Sequence, residues 1–354
     1  MNEGTRERTV GSDLDYQEHI LQDVSRTFAL TIPQLPGDLS RVVGNAYLLC
    51  RIADTIEDDP SLDAGQKRHF SESFVQVIGG EMPAGRFADE LHPLLSDSML
   101  EAEKDLIHHT GRVIRITHGF SERQRAALAR CVRIMSRGMA DFQQNKTLDG
   151  LADMSQMDSY CYYVAGVVGE MLTELFCTYS SEIDAQRSEL QKLAVSFGQG
   201  LQMTNILKDI WEDRARGACW LPREVFQRVE FDLGRLSEDY QRGKFSLGLS
   251  ELIGIARLHL QNALGYTLLI PGHEAGIRRF CLWALGMAVL TLRKVHANRH
   301  FTSGVQVKIS RRSVKAVVLV SNVSVSNDAV LKLLFGGFTR SLPVAENPPK
   351  AILV

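Results

Sequence analysis

Asp38-Leu-Ser-Arg-Val-Val-Gly-Asn-Ala-Tyr-Leu-Leu-Cys-Arg-Ile-Ala-Asp-Thr-Ile-Glu-Asp58 is the stretch that decides the fold. It follows Pro36-Gly37, with Asp38 as the expected N-cap, and sets Val42, Ala46, Leu49 and Ala53 on one stripe at helical spacing before Pro60 stops it. The same period runs outward in both directions. It predicts helices over roughly 15–32, 62–79, 99–117, 121–145, 155–180, 184–214, 243–269, 273–299 and 309–322. Only 10 prolines occur in 354 residues, several of them at segment ends, so these helices run uninterrupted. No alternating strand pattern competes, and no period of about 20–50 residues repeats. The reading is one large all-α domain over 15–338, with a polar segment at 1–14 and an irregular tail at 339–354 that carries Pro343, Pro348 and Pro349.

Composition narrows the function. With 40 basic and 42 acidic residues the formal charge is -2, which argues against nucleic-acid binding, a function that needs a net basic face, though local charge still matters. The N-terminus, MNEGTRERTVGSDLDYQ, has no apolar export core, and six cysteines are scattered without C-x-x-C pairs, so reduced, mostly buried thiols are expected. The strongest apolar runs, Ala316–Val320 and Val330–Phe338, fall short of the ~20 residues that cross a bilayer. A cytoplasmic monomer is expected, with Val330–Phe338 apolar enough to touch a membrane surface or to pack on the core.

Two acidic clusters carry the chemistry: Asp54-Thr55-Ile56-Glu57-Asp58-Asp59 and Asp209-Ile210-Trp211-Glu212-Asp213. Each reads D-x-x-E-D. Residues four apart on a helix share a face, so Asp54/Asp58 and Asp209/Asp213 each present a carboxylate pair. Like charges at that spacing cost a few tenths of a kcal/mol unless a cation or partner relieves them. The neighbours Ala46, Leu49 and Ala53, and Met203, Ile206 and Leu207, are apolar, which turns the carboxylates inward. Arg51 lies one turn before Asp54, and Gln202 and Asn205 lie in a row with Asp209 and Asp213. Such a mixed polar face is costly to bury without ligands. Hard oxygen donors on rigid helices suit Mg²⁺ bound by one or two carboxylates with substrate phosphates.

Four ordered stretches then resemble the squalene/phytoene synthases: Ser25-Arg26-Thr27-Phe28; Tyr47 to Asp59; Tyr160-Cys161-Tyr162-Tyr163-Val164-Ala165-Gly166 to Gly169; and Gln202 to Asp213. The resemblance spans roughly residues 20–325. It implies the isoprenoid synthase fold with a central cavity, and head-to-head condensation of two prenyl diphosphates assisted by Mg²⁺. The metal ligands it implies are Asp54, Asp58, Asn205, Asp209 and Asp213. Arg51, Ser25 and Arg26 would stabilise the leaving diphosphate, with Gln202 and Lys208 beside it. Lys208 stands where many members have arginine and offers a point charge in place of a fork. A carbocation must be kept from water, so a dry wall is expected from Phe28, Tyr47, Tyr163, Val164, Met135, Met139 and Phe280. Tyr160 matches a family tyrosine linked to proton removal or cation steering. Arg214 and Arg216 would reach diphosphate or stand solvated at a helix C-terminus.

The reductive half would depend on other residues. Gly198-Gln199-Gly200 lacks a third glycine and lies in a predicted helix, so no Rossmann site is expected, which leaves NADPH open on a helical frame. Phe301 to Lys315 resembles the segment that the squalene branch carries near its C-terminus. Its Lys308, Arg311, Arg312 and Lys315 fall at i, i+3, i+4 and i+7, a cationic stripe suited to the phosphates of NADPH. A solvated face or anionic lipid head groups would use the same stripe. The resemblance thus points to farnesyl diphosphate as substrate and to the squalene branch. A transferase stopping at presqualene diphosphate, dehydrosqualene or phytoene is the alternative.

Overall fold

The computed structural model describes residues 12–25, 27–236, 242–345 and 352. The helices that shape the site are α1 (Asp13–Val24), α2 (Gly37–Asp58), α3 (Ala64–Gly79), α4 (Glu122–Gln144), α5 (Met154–Cys161), α6 (Val167–Tyr179), α7 (Arg187–Lys208), α8 (Ile210–Ala215), α9 (Arg242–Leu269), α10 (Ala275–Ala297), α11 (Arg311–Ser324) and α12 (Asp328–Thr339). The only bridge among the described residues outside helices pairs Leu151 with Pro222. Local sequence explains the starts. Ser12 with Asp15, Asp63 with Gln66 and Ser121 with Gln124 form capping boxes for α1, α3 and α4, satisfying donors that a helix leaves open at its first turn.

The core has two lobes. One gathers α1 to α4 and α6 around Leu48, Leu49, Phe74 and Phe176; the other gathers α5, α7, α9 and α10 around Met203, Leu252, Leu260 and Leu292. Val164 and Phe197 pack against both. At the seam, helix backbones nearly touch. A Cβ on Gly169 would stand 2.1 Å from the Ala194 carbonyl oxygen, and one on Gly198 would stand 2.1 Å from that of Ala165. All six cysteines are buried free thiols, as the sequence suggests.

Several predicted helices are interrupted. The 184–214 helix breaks at Asp209 (φ -102°, ψ 18°), which caps α7 and opens α8. The 99–117 helix breaks at His109 into Glu101–His108 and Thr110–His118. The 155–180 helix is continuous but widens to a π-turn over Tyr162–Gly166. Residues 15–32 end at Val24 and resume as the short Phe28–Thr31. Asp38 is not the cap of α2; the helix begins at Gly37 behind Pro36, and Asp38 lies in the first turn, where the macrodipole favours it. The apolar run Val330–Phe338 lies in helix α12, started by the Asn327 side chain accepting from the Val330 amide (3.1 Å). Among the described residues, Ala275–Ala297 is the helix long and apolar enough to cross a membrane, and 67% of that window is buried in the core.

Candidate active site

Two connected cavities lie between α2 and α7. The first, about 380 Å³, is apolar, with Phe28, Tyr47, Met135, Val164, Phe176, Phe197, Tyr266 and Phe280 in its wall. The second, about 840 Å³, is lined by Asp54, Asp58, Asp209 and Asp213, with Glu103, Lys67, Lys146, Lys208, Arg216, Tyr160 and Trp220. Arg51, Asp54, Val164, Gln202 and Asn205 line both and mark where they meet. A polar chamber therefore stands over a greasy pouch.

The carboxylates feel one another. Burial, then the charge of Asp58, pushes the Asp54 carboxyl up to about 7. Burial, then Asp209, pushes Asp213 up to about 7, with Arg216 opposing and Asp58 adding. Asp58 is raised by burial against the pull of Arg216 and Arg51. Both motifs and Arg216 line the one chamber, so Asp58 raises Asp213 across it and Arg216 lowers both. Among the described residues no three His, Cys, Asp or Glu side chains converge as a ready metal cage. The donors are hard oxygens set in mutually repelling pairs around an open space. That arrangement fits Mg²⁺, which keeps its waters and shares substrate phosphates.

The neighbours are fixed. Arg51 pairs with Glu103, and its Nε is buried without a partner. Lys208 Nζ lies 2.9 Å from Asp209 Oδ2. The three acidic residues that close α2 divide their roles. Asp58 faces the chamber. Glu57 Oε1 accepts from Gln143 Nε2 at 2.8 Å, and burial lifts its carboxyl to about 8. Asp59, fully buried, accepts from the Ser61 and Ser96 amides at 2.7 and 2.9 Å, a structural clamp. Tyr160 stacks on Trp220 (4.3 Å, 11°) and meets the edge of Phe142 (5.3 Å). Burial, with the charges of Glu57, Asp213 and Asp58, drives its phenol well above the usual range, so it stays protonated.

Other expected residues are placed differently. Arg26 lies outside the described residues. The Ser25 hydroxyl accepts from the Phe28 amide (3.0 Å), beside Tyr47, whose hydroxyl donates to the Val24 carbonyl (3.1 Å). Tyr163 lines neither cavity: it packs on Gly138, where a Cβ would stand 2.0 Å from its ring, because the π-turn rotates it toward α4. Met139 lines the polar chamber, not the apolar pouch. Arg214 donates to the Leu148, Leu233 and Gly234 carbonyls, whereas Arg216 reaches the chamber. The cationic stripe is not one helical face. Lys308 is extended (φ -64°, ψ 135°) and Ser310 caps α11, leaving Arg311, Arg312 and Lys315 on its first turns; all four are exposed and line neither cavity.

Glu103, Lys67, Lys146, Gln143 and Trp220 also line the chamber and carry no site signal in the sequence. Glu103 and Lys67 lie in predicted helices with no motif around them, so no spacing rule could have found them.

A model of the squalene/phytoene synthase family matches residues 21–313. Squalene synthase 1 of Arabidopsis thaliana is 30% identical over 306 residues, 85% of this chain and 69% of that protein. The squalene synthase of Schizosaccharomyces pombe is 29% identical over 333 residues, 93% of this chain and 68% of that one. The chain spans about two thirds of the length of these curated relatives. Among solved structures, a TcSQS complex with a ligand matches with a TM-score of 0.74 at 24% identity, covering 96% of this chain and 95% of that one. A dehydrosqualene synthase matches with a TM-score of 0.61 at 20% identity, covering 91% and 96%. Both matches share the fold of this chain.

Proposed function

The chain belongs to the squalene/phytoene synthase family, and from that premise we propose that it is a squalene synthase. Two farnesyl diphosphates join head to head into presqualene diphosphate, releasing one diphosphate and a proton. Reduction by NADPH then gives squalene, the second diphosphate and NADP⁺. The observation that carries the reading is the junction of an acid-lined chamber with an apolar pouch at Arg51, Asp54, Gln202 and Asn205. A prenyl diphosphate has the same two-part chemistry.

Asp54, Asp58, Asn205, Asp209 and Asp213 would hold Mg²⁺, which when bound offsets the charge that builds on the diphosphate as its allylic C–O bond breaks. Arg51, anchored by Glu103, presents a fixed cation at the rim of the pouch, and Lys208 and Arg216 add charge around the chamber. Phe28, Tyr47, Val164 and Phe280 exclude water from the hydrocarbon. Tyr160, held flat by Trp220 with its phenol protonated, places an aromatic ring and a hydroxyl in the wall of the acidic chamber. Lys308, Arg311, Arg312 and Lys315, all exposed on or just before α11, would hold the phosphates of NADPH, which supplies the hydride. Squalene has no polar group and leaves into lipid; exposed Leu319, Val323 and Leu333 on α11 and α12 offer a peripheral membrane contact.

Purified protein incubated with farnesyl diphosphate and Mg²⁺ should form squalene only when NADPH is added. Presqualene diphosphate or dehydrosqualene as the end product with NADPH present would assign the non-reductive branch. Neutralising Arg311 and Arg312 together should leave presqualene diphosphate formation intact and weaken NADPH binding on the order of a hundredfold, as loss of two charge-assisted contacts would.

A further inference from the structure

Helix α8 carries two sets of side chains. Asp213, with Asp209 at the joint behind it, lines the acidic chamber. Trp211 and Glu212, between them in sequence, reach the segment that leads into the cationic residues. Trp211 Nε1 donates to the Phe301 carbonyl at 2.7 Å. Glu212 Oε1 accepts from the Gly304 amide at 2.8 Å and from the Ser303 hydroxyl at 3.4 Å. The fit is close: a Cβ on Gly304 would stand 3.0 Å from both Glu212 carboxylate oxygens and 3.1 Å from the Lys208 carbonyl oxygen. Phe301, Gly304 and Val307 are buried, so the segment is seated. Ser303 also accepts from the Val305 amide (3.3 Å), starting the short helix Gly304–Val307 that delivers Lys308.

We propose that Trp211 and Glu212 are positioning residues for the second half-reaction: they fix Phe301–Val307, and through it Lys308, Arg311 and Arg312, relative to the acidic chamber. The inference rests on the reading of those cations as the NADPH site. It follows from geometry that one short turn supplies carboxylates to the chamber on one side and acceptors and donors to the cofactor segment on the other. The motif D-I-W-E-D then serves both half-reactions through different residues.

The test uses the whole 354-residue chain with three variants: Trp211→Phe, which keeps an aromatic ring and removes the N–H donor; Glu212→Ala; and Gly304→Ala, which disturbs the same contact from the opposite side. NADP⁺ affinity is measured by equilibrium dialysis, and amide exchange is followed across residues 301–312. Presqualene diphosphate formation is assayed without reductant. All three variants should bind NADP⁺ on the order of tenfold more weakly and exchange faster over 301–312, with presqualene diphosphate formation within about twofold of the parent. Glu212→Gln, which retains an acceptor oxygen, should recover most of the affinity. Unchanged NADP⁺ affinity in folded variants overturns the inference alone, as does equal loss of both half-reactions, which would assign Glu212 to the metal-binding turn. A parent protein that makes presqualene diphosphate yet binds no NADP⁺ overturns the cofactor reading and this inference with it.

Discussion

Asp54-Thr55-Ile56-Glu57-Asp58 closes the unbroken helix α2, whereas Asp209-Ile210-Trp211-Glu212-Asp213 straddles the joint between α7 and α8. One carboxylate of each pair is in a like setting: Asp54 is raised by burial and by Asp58, Asp213 by burial and by Asp209. The residues between the paired carboxylates are not. Glu57 accepts from Gln143 of α4, while Glu212 binds the backbone of Gly304. Identical spacing thus sets the shared chemistry, and the unshared part is set by what packs behind each turn. The first motif ends an unbroken helix against the core; the second spans a helix break and is tied to a distant segment.

The largest expected effect tests the shared part. Asp54→Asn and Asp209→Asn should each lower turnover by roughly a thousandfold or more, about 4 kcal/mol, measured at saturating Mg²⁺. Their melting temperatures should differ. Asp54→Asn removes a buried repulsion and should melt at or above the parent temperature, while Asp209→Asn loses its ion pair with Lys208 and should not. Normal turnover in either variant ends the metal reading.

A second contrast separates the lobes by pH. In the first lobe Asp13 accepts from Arg112 and Arg115, and those guanidiniums hold its carboxyl down to about 2. Unfolded aspartate titrates near 4, so that contribution is intact above pH 4 and is lost only as pH falls toward 2. In the second lobe His259 is buried, its Nδ1 2.8 Å from Ser196 Oγ, and burial lowers it to about 4. Unfolded histidine takes up its proton near pH 6.5, so the unfolded state holds more protons between 6.5 and 4. Stability from this site is full above 6.5 and falls by up to about 3 kcal/mol as pH drops to 4. Acid unfolding followed by amide exchange should open α9 before α1, and His259→Phe should flatten the profile in that window if it folds.

Adjacent residues sharpen the comparison further. Asp59→Ala should cost about 2 kcal/mol in denaturant titration, because the Ser61 and Ser96 amides lose their acceptor, yet leave activity measurable at low temperature. Asp58→Ala should do the reverse. The smallest expected effect is Trp220→Phe, which trims the stack on Tyr160 by about 1 kcal/mol and should slow turnover several-fold without changing NADP⁺ affinity.

The helical class and the aspartate pairs were legible because they are periodic: a period of 3.6 specifies both which residues form a helix and which share its face, whereas Phe28, Tyr47, Met135, Val164 and Phe280 of the pouch wall followed from the family resemblance and Phe176, Phe197 and Tyr266 from neither. Breaks at His109 and Asp209 were not legible, since neither residue is a proline or glycine and tertiary contacts select the joint. Glu103 is invisible for a different reason: it meets Arg51 across 52 residues of chain. The cationic stripe failed at Lys308 because Ser310 starts a new helix, and the spacing rule assumes a helix that has already begun.

The π-turn at Tyr162–Gly166 can be counted as an insertion. A π-turn carries one residue more than the α-helix it interrupts, and such bulges recur at functional sites. Deleting one residue there would let α5 and α6 join as a regular helix with better-matched hydrogen bonds, and the chain upstream would turn by about 100°. Tyr160 would swing off Trp220, and Val164 would leave the seam where both lobes meet. The straighter protein would be the more regular one and the poorer enzyme, so the chain is held one residue out of register at the place where its chemistry converges.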